Sequence, residues 1–102
     1  MQKVLLSIFL MANIVLIQRV LAQDKQRGKE LFKTCIQCHG EKGEGNKEKN
    51  APRIGGQHDW YILSSLIQFK KKERINPEMY PYIKSLSEKD FKDLASYIGG
   101  LK

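Results

Sequence analysis

Five consecutive residues, Cys35-Ile36-Gln37-Cys38-His39, restrict the fold of this chain more than any other feature. Two thiols about one helical turn apart can each add to a vinyl group on one edge of a haem, and the next residue then places an imidazole under the iron. The C-x-x-C-H pattern therefore predicts one covalently bound haem c. Cys35 and Cys38 are the predicted thioether attachment points, and His39 is the predicted axial iron ligand.

Three other uses of these cysteines stay open, and each fits the sequence less well. A thioredoxin-like redox pair needs a βαβ context, and no alternating β pattern of useful length occurs. A zinc site that adds His58 to the motif has ligand spacings unlike those of common zinc modules. A structural disulfide between cysteines one turn apart closes a very small loop and gains little stability.

The N-terminal segment predicts an export signal. A basic start at Lys3 precedes a short apolar stretch and then Val20-Leu21-Ala22, a small-residue cleavage site. We expect cleavage after Ala22, so that residues 1–22 are a signal peptide and residues 23–102 form one domain. An uncleaved membrane anchor is the alternative, because Arg19 is irregular in a cleavage region. Nothing approaches 18 uninterrupted apolar residues, which excludes a multi-span membrane protein.

Cleavage changes the size and charge that the fold must accommodate. It removes 22 of 102 residues, two of the 18 basic residues and no acidic one, which leaves 80 residues and lowers the net charge from +7 to +5. Eighty residues form a marginal core, and chains of this size often depend on a disulfide, a metal or a cofactor. A haem in the centre would supply what the polypeptide lacks.

Three stretches have helical periodicity: 24–34, 59–71 and 87–101. The last is the clearest, because Ser87 and Asp90 approximate a capping box and an apolar stripe follows. In the second, Trp60 is predicted to lie in the core. Long loops rich in Gly and Pro, at 40–57 and 76–86, separate the helices, and loops of this length usually wrap something. The prediction is an all-α domain around one haem.

Met79 is the predicted second axial ligand. It is the only methionine of the mature chain, it lies in a loop stiffened by Pro77 and Pro81, and it follows His39 by 40 residues. The alternatives are that Met79 fills the core, that His58 binds the iron instead, or that the iron is five-coordinate.

Together these features resemble the class I c-type cytochromes, nearest the small bacterial high-potential branch that includes single halves of the dihaem cytochrome c4 type. The resemblance covers all 80 mature residues. The segments that carry it are 35–40, 43–46, 52–57, 76–79 and 94–98. It implies a small cytochrome c fold in which the N- and C-terminal helices cross, with Gly28 at their closest approach.

The resemblance also implies roles for residues around the haem. Pro52 would offer its carbonyl to the His39 ring, Ile54 would pack on the haem, and Tyr61 and Arg74 would lie near the propionates. An ordinary solvated arginine is the alternative for Arg74. The sequence departs from the branch pattern where Ser65 replaces a common Gln and Lys72 a common Gly.

The function implied is that of a periplasmic, monomeric carrier of single electrons, not an enzyme. The iron would cycle between Fe(III) and Fe(II) with His/Met ligation. A charge of +5 suits redox partner proteins with acidic docking surfaces, to which the run Lys70-Lys71-Lys72 is a candidate contributor. Nucleic acid is not expected as a partner, and membrane contact is expected only through an uncleaved N-terminus or a complex. The alternatives are a haem subunit of a membrane oxidase or reductase and a five-coordinate, ligand-binding haem protein.

Overall fold

A computed structural model describes residues 2–21 and 23–102, with side chains for 2–14 and 23–102. The helices are α1 (Gln2–Leu21), α2 (Lys25–Phe32), α3 (Ile36–His39), α4 (Asp59–Lys70), α5 (Tyr80–Ile83) and α6 (Glu88–Gly99), with a 3-10 turn at Lys47–Lys49. The described chain has no β-strand beyond an isolated bridge between Asn46 and Ala51. The predicted all-α class is therefore confirmed.

The described side chains of α1, those of residues 2–14, are all exposed and take no part in the core. Every buried residue in the described ranges lies between Gly28 and Ile98. Within those ranges no helix is both long and apolar enough to cross a membrane. The predicted cleavage point at Ala22 and the irregular side chain of Arg19 lie outside the described residues, so the division at residue 22 stays a prediction.

Local capping chemistry sets where two of the helices begin. The side chain of Asp24 accepts a hydrogen bond from Arg27 N at 3.0 Å and so caps α2. At the start of α6, Ser87 Oγ accepts from Asp90 N and Asp90 Oδ2 accepts from Ser87 N, both at 3.1 Å. This reciprocal pair is a complete capping box, formed with the shorter aspartate in place of glutamate.

Helices α2 and α6 cross at Gly28, as predicted. A Cβ atom built on Gly28 would lie 2.2 Å from the carbonyl oxygen of Asp93 and 2.8 Å from Tyr97 Cβ, so only glycine permits this approach. Next to the crossing, the rings of Phe32 and Tyr97 pack with centroids 5.5 Å apart. Asp93 is 2% exposed and its Oδ1 accepts a hydrogen bond from Asp24 N at 2.8 Å, which links the start of α2 to α6.

Helix α4 completes the core by packing on α6. Its buried residues are Ile62 and Leu66, which lie four positions apart on one face. The prediction that Trp60 is a core residue is wrong, because its side chain is 65% exposed. The physical reason is helical geometry. Trp60 precedes Ile62 by two positions, about 200° around a helix of 3.6 residues per turn, and so points away from the core.

Candidate haem-binding site

A cleft with about 560 Å³ of empty space, including its mouth, lies between the α3 turn and α5. Two separate segments contribute the residues of chemical interest. Cys35, Cys38 and His39 line the cleft from the α3 turn, and Met79 lines it from the loop before α5.

The His39 ring is held in a defined state. The side chain is 6% exposed, and Nδ1 lies 2.9 Å from the backbone oxygen of Pro52. A carbonyl oxygen can only accept a hydrogen bond, so Nδ1 is the donor and carries the proton. In a neutral imidazole the other nitrogen, Nε2, then has a lone pair available for a metal ion. The contact with Pro52 implied by the resemblance is thus present.

The two cysteines share one helical turn. The carbonyl oxygen of Cys35 accepts from Cys38 N at 3.3 Å and from His39 N at 2.9 Å, so the backbone coils around this point. Residues three apart in such a turn lie on the same side. Both thiols are unpaired, and burial raises the pKa of the Cys35 thiol, which keeps it protonated near neutral pH.

The geometry supports neither a zinc site nor His58 as an iron ligand. The described residues contain no group of three or more His, Cys, Asp or Glu arranged to hold a metal ion. His58, the fourth ligand of a zinc site and the rival iron ligand, lies on the exposed surface and not in the lining of the cleft. Its ring stacks on Trp60 with centroids 5.8 Å apart.

Met79 is presented to the cleft by a capped turn. The side-chain oxygen of Asn76 accepts from Glu78 N at 3.2 Å and from Met79 N at 3.1 Å. Met79 is half-buried and directly precedes α5. Met79 is the only methionine in residues 23–102, and it lines the same cleft as His39.

Of the four other residues predicted to contact the haem, one lines the cleft and three do not. Pro52 lines the cleft. Ile54 is half-buried against the core, and Tyr61 is 45% exposed beside Trp60. Arg74 is exposed, with its guanidinium 4.5 Å from the Phe69 ring centroid. The haem contacts of Ile54, Tyr61 and Arg74 stay predictions.

Sequence reasoning missed several contributors to the cleft. Tyr82 and Ile83 line it from α5, three and four positions after Met79. That spacing places them on the Met79 side of a short helix and is the sequence pattern that could have identified them. Asn76 was also missed as a capping residue, although an Asn before a proline is a common turn former.

The residues fit a haem c. They bring together two unpaired thiols at the attachment spacing, an imidazole whose Nε2 is free to bind a metal, and a thioether, the ligand types used in c-type haem sites. Fold and donor set together define a small, all-α haem domain of the c type.

Comparison with known proteins gives the family. The profile described as Cytochrome c matches residues 25–102. A cytochrome c4 of Azotobacter vinelandii is 38% identical over 71 residues, covering 66% of this chain and 34% of that protein. A thiosulfate dehydrogenase electron acceptor of Thiomonas intermedia is 36% identical over 69 residues, covering 68% and 32%. The crystal structure of reduced recombinant cytochrome c4 from Pseudomonas stutzeri superposes with a TM-score of 0.70 at 32% identity, covering 76% of this chain and 47% of that one.

This chain belongs to the cytochrome c family, it has the cytochrome c fold, and covalently attached haem c is its cofactor. Its likeness to cytochrome c4 is to one half of that protein, because it spans about a third to a half of those relatives.

Proposed function

We propose that this protein is a periplasmic monohaem cytochrome that carries single electrons between redox proteins and is not itself an enzyme. The observation that carries the proposal is the shared cleft. It brings together His39, with its Nδ1 proton held by Pro52, and Met79, the one methionine sulfur of the domain.

In this proposal the two thiols fix the prosthetic group and the two remaining donors bind the iron. Cys35 and Cys38 form the thioethers, and His39 and Met79 are the axial ligands. When bound, the haem supplies one-electron chemistry between Fe(III) and Fe(II), and a methionine ligand raises its potential.

The chain's own residues keep these ligands in place. Pro52 holds the His39 ring by its Nδ1 proton, which fixes both the tautomer and the ring orientation. Asn76 holds the backbone of Met79. Neither ligand needs to gain or lose a proton when the iron changes its oxidation state. Because the ligand set stays the same, the structural reorganisation that accompanies electron transfer is small.

The sequence and the relatives support a proposal for the location and the partners of this protein. We propose that residues 1–22 are the export signal and that residues 23–102 are the mature, monomeric domain. A net charge of +5 supports docking to acidic surfaces of redox proteins. The relative described as a thiosulfate dehydrogenase electron acceptor supports a protein partner that delivers electrons.

The ligand set is tested by the absorption spectrum of the purified holoprotein. We expect a low-spin spectrum with the Met–iron band, lost in Met79→Ala and retained in His58→Ala, which removes the rival ligand. A haem stain of a denaturing gel should mark the wild-type band, because the attachment is covalent. High-spin wild-type iron that binds carbon monoxide readily would contradict the carrier and favour a ligand-binding haem protein.

Export is tested separately by fractionation and mass measurement. We expect the haem-stained protein in the periplasmic fraction. Its mass should be that of a haem-bearing chain that begins at Gln23. Retention of the full-length chain in membranes would contradict cleavage and support the anchor. Co-purification with a membrane oxidase or reductase would support the subunit alternative.

A further inference from the structure

Helix α4 ends in a turn that places Lys72 in an unfavourable backbone conformation. Lys72 N donates to Phe69 O at 3.2 Å, and Glu73 N donates to Gln68 O at 2.9 Å. This pair of bonds closes a Schellman motif, in which glycine is the usual residue at the left-handed position. Lys72 occupies that position with φ +61°. A lysine here works against a steric cost that glycine would not incur.

The side chain of Lys72 reaches the segment that carries Met79. Its ammonium lies 4.8 Å from the centroid of the Tyr80 ring, within the roughly 6 Å range of a cation–π contact. Tyr80 is the first residue of α5 and directly follows Met79. The contact therefore connects the end of α4 to the residue next to the predicted iron ligand.

We propose that Lys72 is a positioning residue for Met79 and acts through the ring of Tyr80. The inference rests on the proposed function, in which Met79 binds the iron. Asn76 holds the Met79 backbone from the turn before it. Lys72 restrains the same short segment through Tyr80, the residue that follows Met79. Loss of the Lys72 ammonium then makes it easier for Met79 to leave the iron while the rest of the fold stays intact.

The neighbouring Lys71 provides a matched comparison. It carries the same charge on the adjacent exposed residue, with an ordinary helical backbone at φ −78°. Among the described residues its ammonium has no hydrogen bond, ion pair or aromatic ring within reach, unlike that of Lys72. Charge effects on the iron or on partner docking should therefore appear in variants of both lysines, whereas a positioning effect should appear only at Lys72.

The experiment titrates the ferric holoprotein with imidazole, which competes with the Met79 thioether, and follows the loss of the Met–iron absorption band. Lys72→Asn keeps a residue type that tolerates positive φ and removes the ammonium. Lys72→Gly also removes the backbone strain. We expect both variants to need about two- to fivefold less imidazole for half-saturation, the factor that corresponds to one exposed cation–π contact. Lys71→Asn should match the wild type.

Thermal unfolding of the same proteins separates positioning from general stability. Because glycine relieves the strain at this position, Lys72→Gly should unfold no earlier than the wild type and still release Met79 more readily. Tyr80→Leu should reproduce the effect of Lys72→Asn, and Tyr80→Phe, which keeps a ring, should not. The Tyr80 pair gives an answer even if a Lys72 variant folds poorly.

Two failures are distinguishable. If the wild type shows the Met–iron band but Lys72→Asn and Lys71→Asn need the same imidazole concentration, the positioning role is wrong and the carrier proposal stands. If the wild type has no Met–iron band, Met79 is not the ligand, and both proposals are wrong.

Discussion

Replacement of Gly28 by alanine should destabilise the domain, although alanine is the better helix former. The added Cβ would lie 2.2 Å from the carbonyl oxygen of Asp93, whereas ordinary contacts of a Cβ begin at 3.4 Å. The helices α2 and α6 would have to separate by about 1 Å to remove the clash. The obstacle is backbone in the middle of α6, so no side-chain rotation can relieve it.

The size of the effect follows from two opposing contributions. Overpacking of a tight interface costs about 1–3 kcal/mol, and this contact belongs at the upper end because separation also disturbs the Phe32–Tyr97 and Asp24–Asp93 contacts. The intrinsic preference of a helix for alanine over glycine returns about 1 kcal/mol. We therefore expect a net loss of about 2 kcal/mol, which in a domain of this size lowers Tm by about 8–16 °C.

Thermal unfolding of the haem-loaded proteins, followed by far-UV circular dichroism, measures this loss. Gly100→Ala is the matched control, because a Cβ at Gly100 would meet nothing closer than 3.6 Å and the backbone has φ −87°. The control should melt at or slightly above the wild-type Tm. If Gly28→Ala also melts at or above the wild-type Tm, the close approach at Gly28 is not needed and the reasoning is refuted.

Three further predictions concern polar contacts. Ser87→Ala removes half of the capping box and should cost about 1 kcal/mol; an unchanged Tm would show that the cap adds nothing. Asp93→Asn removes the charge of the carboxylate that accepts hydrogen bonds from Asp24 N and from the Lys89 ammonium, and it should cost about 1 kcal/mol in urea unfolding, the difference between a charged and a neutral hydrogen bond, whereas wild-type stability would contradict a role for the charge. Lys33 lowers the pKa of Glu30. This pair therefore stabilises the protein at neutral pH, and its contribution is lost as pH falls through the lowered pKa. In Lys33→Met the NMR-titrated pKa of Glu30 should rise, and an unmoved pKa would refute the pairing.

The parts of the fold that the sequence predicted are those set by local chemistry. The helix starts at Asp24 and Ser87 depend on side chains that bond backbone groups three residues away, and such signals can be recognised in sequence. The α2–α6 crossing was predicted through the resemblance, and Gly28 confirmed it because only a residue without a Cβ fits there.

The predictions that failed are those that depend on which face of a helix packs against its neighbour. The apolar positions of α4 are compatible with more than one buried face, and contact with α6 selects the face of Ile62 and leaves Trp60 exposed. Tyr82 and Ile83 could be found only by their spacing from Met79, because α5 has four residues and is too short to show a periodic apolar face of its own.

The basic run at the end of α4 shows why net charge does not locate a docking surface. Lys70 donates to the carbonyl oxygen of Leu86 and lies 5.7 Å from the Phe91 ring centroid, Lys72 lies on Tyr80, and Arg74 lies on Phe69. These cations connect α4 to the segments that follow it, because each contacts a group of the same chain. Lys71 lacks such a contact among the described residues. Of the lysines at 70–72, it is therefore the one whose charge is fully available to an acidic redox partner. Its two neighbours instead make contacts that hold segments of the domain together.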